Sequence, residues 1–213
     1  VTVAEVPEVM TARIAADSKY WLWINDSLVV FEGGLKRGPA PGDSYYDEVD
    51  IAPFLRKGEN CISVLVWYFG RNGFSHAGSG LAGLLFEAEA PGLEILSDKT
   101  WEATVFGAYS SAGEPEANYR LPESNLRYDA RKEIPDWRDP AAKRLGSAME
   151  LPVIVGHAPF GKLVKRPIPL WKTSGLLDYP EVRRSGDTLV CALPYNAQIT
   201  PYLKVKAPAG RTI

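Results

Sequence analysis

Arg13-Ile-Ala-Ala-Asp-Ser-Lys-Tyr-Trp-Leu-Trp-Ile-Asn-Asp26, followed by Tyr46-Asp-Glu-Val-Asp-Ile51 and Cys61-Ile-Ser-Val-Leu-Val-Trp-Tyr-Phe69, decides the fold. Between Tyr20 and Ile24 the side chains alternate. Tyr20, Leu22 and Ile24 fall on one face, Trp21 and Trp23 on the other, which is the period of a β-strand. Asn25-Asp26-Ser27 then signals a turn, because Asn and Asp tolerate left-handed backbone angles. Leu28 to Phe31 is expected to return as the second arm of a hairpin. Cys61 to Phe69 is rich in β-branched and aromatic residues and nearly continuous in its apolar character. That pattern predicts burial on both faces, hence a central strand.

Outward from this core, further strands are expected at Thr11–Ala16, Tyr45–Ile51, Leu81–Ala88, Leu93–Leu96 and Trp101–Phe106. An edge strand interrupted by Pro7 is expected in residues 1–10. One helical turn from Pro53 should end at Gly58, a residue suited to a left-handed cap. Residues 32–44 and 70–80 are Gly-rich loops. Residues 107–147 lack helical period over any long window. They read as a loop wrapping the sandwich, with one short helix at Asp139–Gly146. After residue 150 the character changes. Strands are expected at Val153–Val155, Leu176–Val182, Leu189–Leu193 and Thr200–Lys206, with a proline-restricted segment at Phe160–Trp171. Many short strands and few helices argue for an all-β chain: a jelly-roll or galactose-binding-like β-sandwich over 1–150, then a linker and partial second β domain over 151–213.

Composition narrows the function. Hydrophobic residues make up 46% of the 213, enough for a sizeable core. Lys and Arg number 24 against 26 Asp and Glu, a net charge of −2. That balance provides no electrostatic footprint for nucleic acid or an anionic membrane surface. No apolar run approaches the ~20 residues of a membrane-spanning helix. The chain opens on Val1 with no basic-then-apolar leader, which reads either as a signal removed or as a piece cut from something longer, and it closes just past a turn at residues 207–210, where truncation is expected. Cys61 and Cys191 sit far apart in strand-like patterns and read as two buried free thiols.

Chemistry-bearing motifs are sparse. His76 and His157 have no metal-ligand spacing, so zinc is not expected. Calcium needs only oxygen ligands, and Asp43, Asp47, Glu48 and Asp50, with Asn25 and Asp26, are the available set. Their plainer reading is as turn and strand-end residues, and no resident cofactor is expected. Glycoside hydrolysis requires two carboxyls about 5–10 Å apart across a cleft, and no distinctive acid pair marks one. Aromatic residues near loops remain. Tyr45, Tyr46, Trp67, Tyr68 and Phe74 flank two Gly-rich loops, and Asn72 and His76 lie beside them. Flat rings with polar neighbours can hold a sugar, although Trp67 in particular also suits a core position. Tyr45, Tyr46, Trp67, Asn72 and His76 are the carbohydrate-binding candidates.

Several blocks in order resemble one family. Asp17-Ser-Lys-Tyr-Trp-Leu-Trp-Ile-Asn25, Gly38-Pro-Ala40, Tyr46-Asp-Glu-Val-Asp-Ile-Ala-Pro-Phe-Leu-Arg-Lys-Gly-Glu-Asn60 and Val64-Leu-Val-Trp-Tyr-Phe-Gly70 resemble the N-terminal accessory region of bacterial α-L-rhamnosidases. Tyr128-Asp-Ala-Arg131 with Pro135-x-Trp137 is similar to a later segment of those enzymes. Pro159 to Pro169 is similar to the linker they place before the next β domain. Asp26 departs from the Gly usual in the hairpin, and Glu48 from the usual Thr. The first block also resembles the sugar-binding-fold domain of β-galactosidase-type enzymes. The resemblance implies a non-catalytic β region whose partner is an (α/α)-barrel catalytic domain of the same polypeptide. It implies no catalytic residue within this chain. A rhamnose-containing glycan is a further expected partner, and the expected location is extracellular or periplasmic.

Overall fold

A computed structural model describes residues 1–73, 75–111, 126–139, 141, 160–172, 175–197, 199, 202, 204 and 206–208. Among these, the strands are β1 (Thr2–Val3), β2 (Thr11–Asp17), β3 (Lys19–Ile24), β4 (Ser27–Val30), β5 (Ser44–Asp50), β6 (Gly58–Glu59), β7 (Ile62–Trp67), β8 (Gly83–Ala90), β9 (Leu93–Leu96), β10 (Tyr109–Ser111), β11 (Leu126–Tyr128), β12 (Leu163–Lys165), β13 (Glu181–Ser185) and β14 (Thr188–Ala192). The only helical pieces among them are 3-10 turns at Ala52–Phe54 and Ala130–Lys132. The chain is all-β. It divides into two compact units, Val1–Trp171 and Lys172–Ile213.

The first unit contains a five-stranded sheet in the order β12-β5-β2-β8-β9 and a three-stranded sheet in the order β4-β3-β7. The chain passes from one sheet to the other at Asp17–Ser18, whose peptide bond is cis. Alternation then decides what each sheet buries. Ala12, Ile14 and Ala16 of β2 and Phe86 and Ala88 of β8 share one core cluster with Tyr20, Leu22 and Ile24 of β3. Met10 and Ile51 belong to the same cluster and are fully enclosed. Each large apolar side chain so buried contributes roughly 1.5–3 kcal/mol by removal from water. The β3–β4 turn has Asn25 at φ 51° and Asp26 at φ 67°. These left-handed values suit the right-handed twist of the two arms. Asn25 is fixed there by donating to Phe54 O and Asn60 Oδ1, while its own Oδ1 accepts from Cys61 N.

Several expectations require correction. Among the described residues β7 pairs with β3 alone, so there it is an edge strand and β3 the central one. Its residues are mostly half-buried rather than enclosed on both faces. Trp101–Phe106 is not a strand. Trp101 instead donates its indole N–H to Leu96 O at 2.7 Å and packs on Phe86. The helical turn near Pro53 ends at Leu55 rather than at Gly58. Gly58, at φ 95°, opens β6, which pairs with β1. Within 107–147, β10 and β11 pair antiparallel where a loop was expected.

The expected boundary near residue 150 differs from the division at Trp171. Phe160 is buried, and β12 adds to β5 in parallel, so this stretch completes the first unit. In the second unit β13 and β14 form a two-stranded hairpin turning at Gly186 (φ 59°). Leu176–Asp178 lies outside any strand. Both cysteines are free, but Cys61 is half-buried and Cys191 exposed. Phe74, His157, most of the helix expected at Asp139–Gly146, the strand expected at Val153–Val155 and most of Thr200–Lys206 lie outside the described residues.

Candidate functional site

The aromatic face singled out from sequence is distributed over both sheets. Tyr45 and Tyr46 lie half-buried on β5, opposite Val164 and Lys165 of β12. Tyr45 N donates to Arg37 O, and Tyr46 O accepts from Arg166 N. Trp67 ends β7, in the other sheet. It stacks on Trp21 with centroids 6.4 Å apart and takes the edge of Phe69 at 5.0 Å. The Lys19 ammonium sits 5.4 Å from its centroid and 5.5 Å from that of Trp21. Phe69 in turn meets His76 edge-on at 4.9 Å. The structure therefore brings Trp67 and His76 into one ring cluster and places Tyr45 and Tyr46 in the opposite sheet.

His76 itself is buried, with Nε2 2.7 Å from Arg71 O. Asn72 is exposed, and its Oδ1 accepts from Gly78 N at 2.9 Å. Both side chains close their own loop. That loop is tied to the sheet junction by Asp17, which accepts from Ser79 N and Ser79 Oγ, each at 2.6 Å. The carboxylates considered for calcium are also engaged. Asp47 accepts from Tyr20 Oη and Gly34 N and pairs with Arg166. Asp50 accepts from Met10 N and Ala52 N. Glu48 lies between Lys165 and Arg13, and chiefly the Lys165 ammonium holds its carboxyl below the usual range. Among the described residues no group of three or more His, Cys, Asp or Glu side chains is placed to hold a metal ion.

A cleft of about 830 Å³ lies elsewhere, at the other end of the three-stranded sheet. Its walls come from the β3–β4 turn (Asn25, Asp26), the chain before β6 (Arg56) and the segment after β11 (Glu133, Trp137, Arg138). Trp137 is the anchor. Its carbonyl accepts from Ser63 Oγ at 3.1 Å, and its ring meets Trp23 at 5.2 Å with a 77° interplanar angle. Arg138 pairs with Asp26 at 3.1 Å and lies over the rings of Trp23 and Trp137 at 5.4 and 5.7 Å.

From Trp137 a row of rings continues outward. Phe106 is 5.7 Å from Trp137, Tyr109 is 5.8 Å from Phe106, and Tyr128 is 5.0 Å from Tyr109. The Tyr128 phenol is pushed up to about 12 by partial burial and by its hydrogen bond to the Glu133 carboxylate. Sequence reading missed this site. Its only signal was the Pro135-x-Trp137 resemblance, because its rings come from three separated stretches, at Trp23, at Phe106 to Tyr109 and at Tyr128 to Trp137. The acids around the cleft are solvent-facing, with Asp26 65% exposed in its side chain. Glycoside hydrolysis sets its general acid in an apolar enclosure, whereas the Asp26 carboxyl stands in water.

No protein-family model matches the chain, and no curated protein matches it. Solved structures do. The family 78 rhamnosidase of Bacillus sp. GL1 is similar at 31% identity and a TM-score of 0.65, over 79% of this chain and 17% of that one. The α-L-rhamnosidase of Dictyoglomus thermophilum matches at 21% identity and TM-score 0.55, over 78% of this chain and 18% of that one. That of Aspergillus terreus matches at 22% identity and TM-score 0.52, over 70% and 18%. The last two likenesses speak for the fold alone. The chain spans less than a fifth of each of these proteins.

Proposed function

We propose that this chain is a non-catalytic accessory part of an α-L-rhamnosidase-type glycoside hydrolase. In this reading it packs on a catalytic domain carried elsewhere in the same polypeptide, of the (α/α)-barrel type, in an extracellular or periplasmic setting. The observation that carries it is the 31% identity over 79% of this chain, confined to 17% of the Bacillus enzyme. A chain that matches so small a share of a glycosidase corresponds to one of its parts.

Surface chemistry supports a packing role. Trp171 is 69% exposed, and Leu176 and Leu177 are each 73% exposed. Trp171 belongs to the first unit and Leu176 and Leu177 to the second, so each unit leaves large apolar side chains in water, the mark of a surface that a partner covers. In the second unit Val182 and Leu189 are also exposed on a two-stranded hairpin, and such a hairpin alone is marginal in water.

The test is a footprint. Radical labelling of Trp171, Leu176 and Leu177 is measured in this chain alone and in the longer polypeptide that carries it. Strong protection of all three in the longer polypeptide is the expected result. Equal labelling in both would remove the packing role.

A further inference from the structure

We propose that Tyr109 and Tyr128 are a modification site: an oxidant of the peroxide class, acting through a haem peroxidase, couples their rings into a dityrosine that staples β10 to β11. This goes beyond the accessory role and does not depend on where a catalytic domain lies.

The ladder brings the two rings together. Tyr109 stands directly opposite Tyr128 in the antiparallel register. In the neighbouring pair, Asp129 N donates to Ala108 O at 2.8 Å. Hydrogen-bonded and open pairs alternate along such a ladder. Tyr109 and Tyr128 are therefore an open pair, the kind whose side chains approach most closely. Their ring centroids lie 5.0 Å apart at an interplanar angle of 49°. Among the described residues they are the one tyrosine pair in ring contact. They are also accessible, at 46% and 48% exposed, so a soluble oxidant reaches both. Tyr195 and Tyr202 are more exposed but have no ring partner among the described residues, and Tyr20 is buried. Contact and access coincide at Tyr109 and Tyr128.

The chemistry balances. Each phenol gives up one electron and one proton. Partial burial and a hydrogen bond to the Glu133 carboxylate keep the Tyr128 phenol protonated at neutral pH. Its proton therefore leaves with the electron, and Glu133 is in place to take it. Tyr109 loses its proton to water. The two tyrosyl radicals join through one carbon–carbon bond between ring positions ortho to the oxygens. The hydrogens at those carbons move to the oxygens and restore two phenols. Peroxide takes up the two electrons and two protons and leaves as two waters. β10 and β11 pair over three residues each, and both cysteines are free, so neither cysteine ties this ladder. A covalent bond across it constrains the unfolded chain as a disulfide would.

The experiment exposes the purified chain, kept dilute so that molecules seldom meet, to hydrogen peroxide and a catalytic amount of haem peroxidase. Peptide mass spectrometry locates the coupling, and biphenol fluorescence follows its rate. The expected product is a monomeric chain lighter by two hydrogen atoms, with the peptides of Tyr109 and Tyr128 joined. Tyr109→Phe and Tyr128→Phe keep the rings and so the packing, and each should abolish the joined peptide. Glu133→Gln should slow coupling several-fold while oxidation at Tyr195 and Tyr202 keeps its rate. No coupling, or coupling only between molecules through Tyr195 or Tyr202, overturns the site. An unchanged rate in Glu133→Gln overturns the proton route.

Discussion

Arg166, from the chain just after β12, forms an ion pair with Asp47 of β5, whose side chain is only 5% exposed. Asp47 also accepts from Tyr20 Oη at 2.8 Å and from Gly34 N at 2.9 Å. A Cβ on Gly34 would stand 2.6 Å from the Arg166 guanidinium carbon, so glycine is what lets the cation approach. Arg166→Ala leaves a buried carboxylate without its counter-charge and should destabilise the chain by about 3–5 kcal/mol. Urea denaturation measures this. Asp47→Ala combined with Arg166→Ala should cost less than the sum of the single changes. Full additivity would show that the pair is not coupled.

The same pair marks where the first unit ends. Phe160 is 2% exposed, and its carbonyl accepts from Ser44 Oγ at 2.6 Å. A chain ending at residue 150 loses Phe160, β12 and Arg166 together. It should unfold at markedly lower urea than a chain ending at Trp171, by more than the ~3–5 kcal/mol of a buried Phe→Ala change. Equal midpoints would place the boundary near residue 150 after all.

Tyr128 provides a pH handle. Its folded value of about 12 lies above the ~10 of an unfolded tyrosine. A raised folded value means stability fully present below pH ~10 and lost as pH climbs through the folded value. Tyr20, raised well above its ordinary value by burial and by Asp47, acts in the same direction. Phenolate absorbance should therefore show a late-titrating group that Tyr128→Phe removes and Glu133→Gln moves to lower pH. On the acid side Asp129 is lowered to about 2, mainly by its hydrogen bond from Arg131. Its contribution is present above the ordinary Asp value and is lost as pH falls through about 2.

The thiols should separate kinetically. Cys191 is exposed on β14, whereas Cys61 is half-buried with Sγ 3.3 Å from Ser63 Oγ. A disulfide reagent should modify one thiol quickly and one slowly in the native chain, and Cys191→Ser should abolish the fast phase. Two equal rates would contradict the burial difference.

What the sequence made legible follows a short-range rule. Tyr20–Ile24 could be assigned because its period of two is local, and Asn25-Asp26 because the turn depends on those two residues. Cys61–Phe69 misled because continuous apolar character is the same for a central strand and for an edge strand sheltered by side chains. Here the shelter is rings, with Trp21 and Phe69 lying against Trp67. Pairings over long separations left no local trace. Asp47 with Arg166, and Trp23 with Trp137, are set by tertiary packing. The sugar candidates are aromatic or polar residues near loops, and of these Trp67 and His76 each meet Phe69 edge-on, a contact with no local trace in the sequence.

The accessory role is tested most directly by turnover. The purified chain of 213 residues is incubated with para-nitrophenyl α-L-rhamnopyranoside, and phenolate release is followed beside a buffer blank. The account predicts release no faster than the blank. Saturable release by this chain, abolished by changing one of the cleft carboxylates, would contradict it.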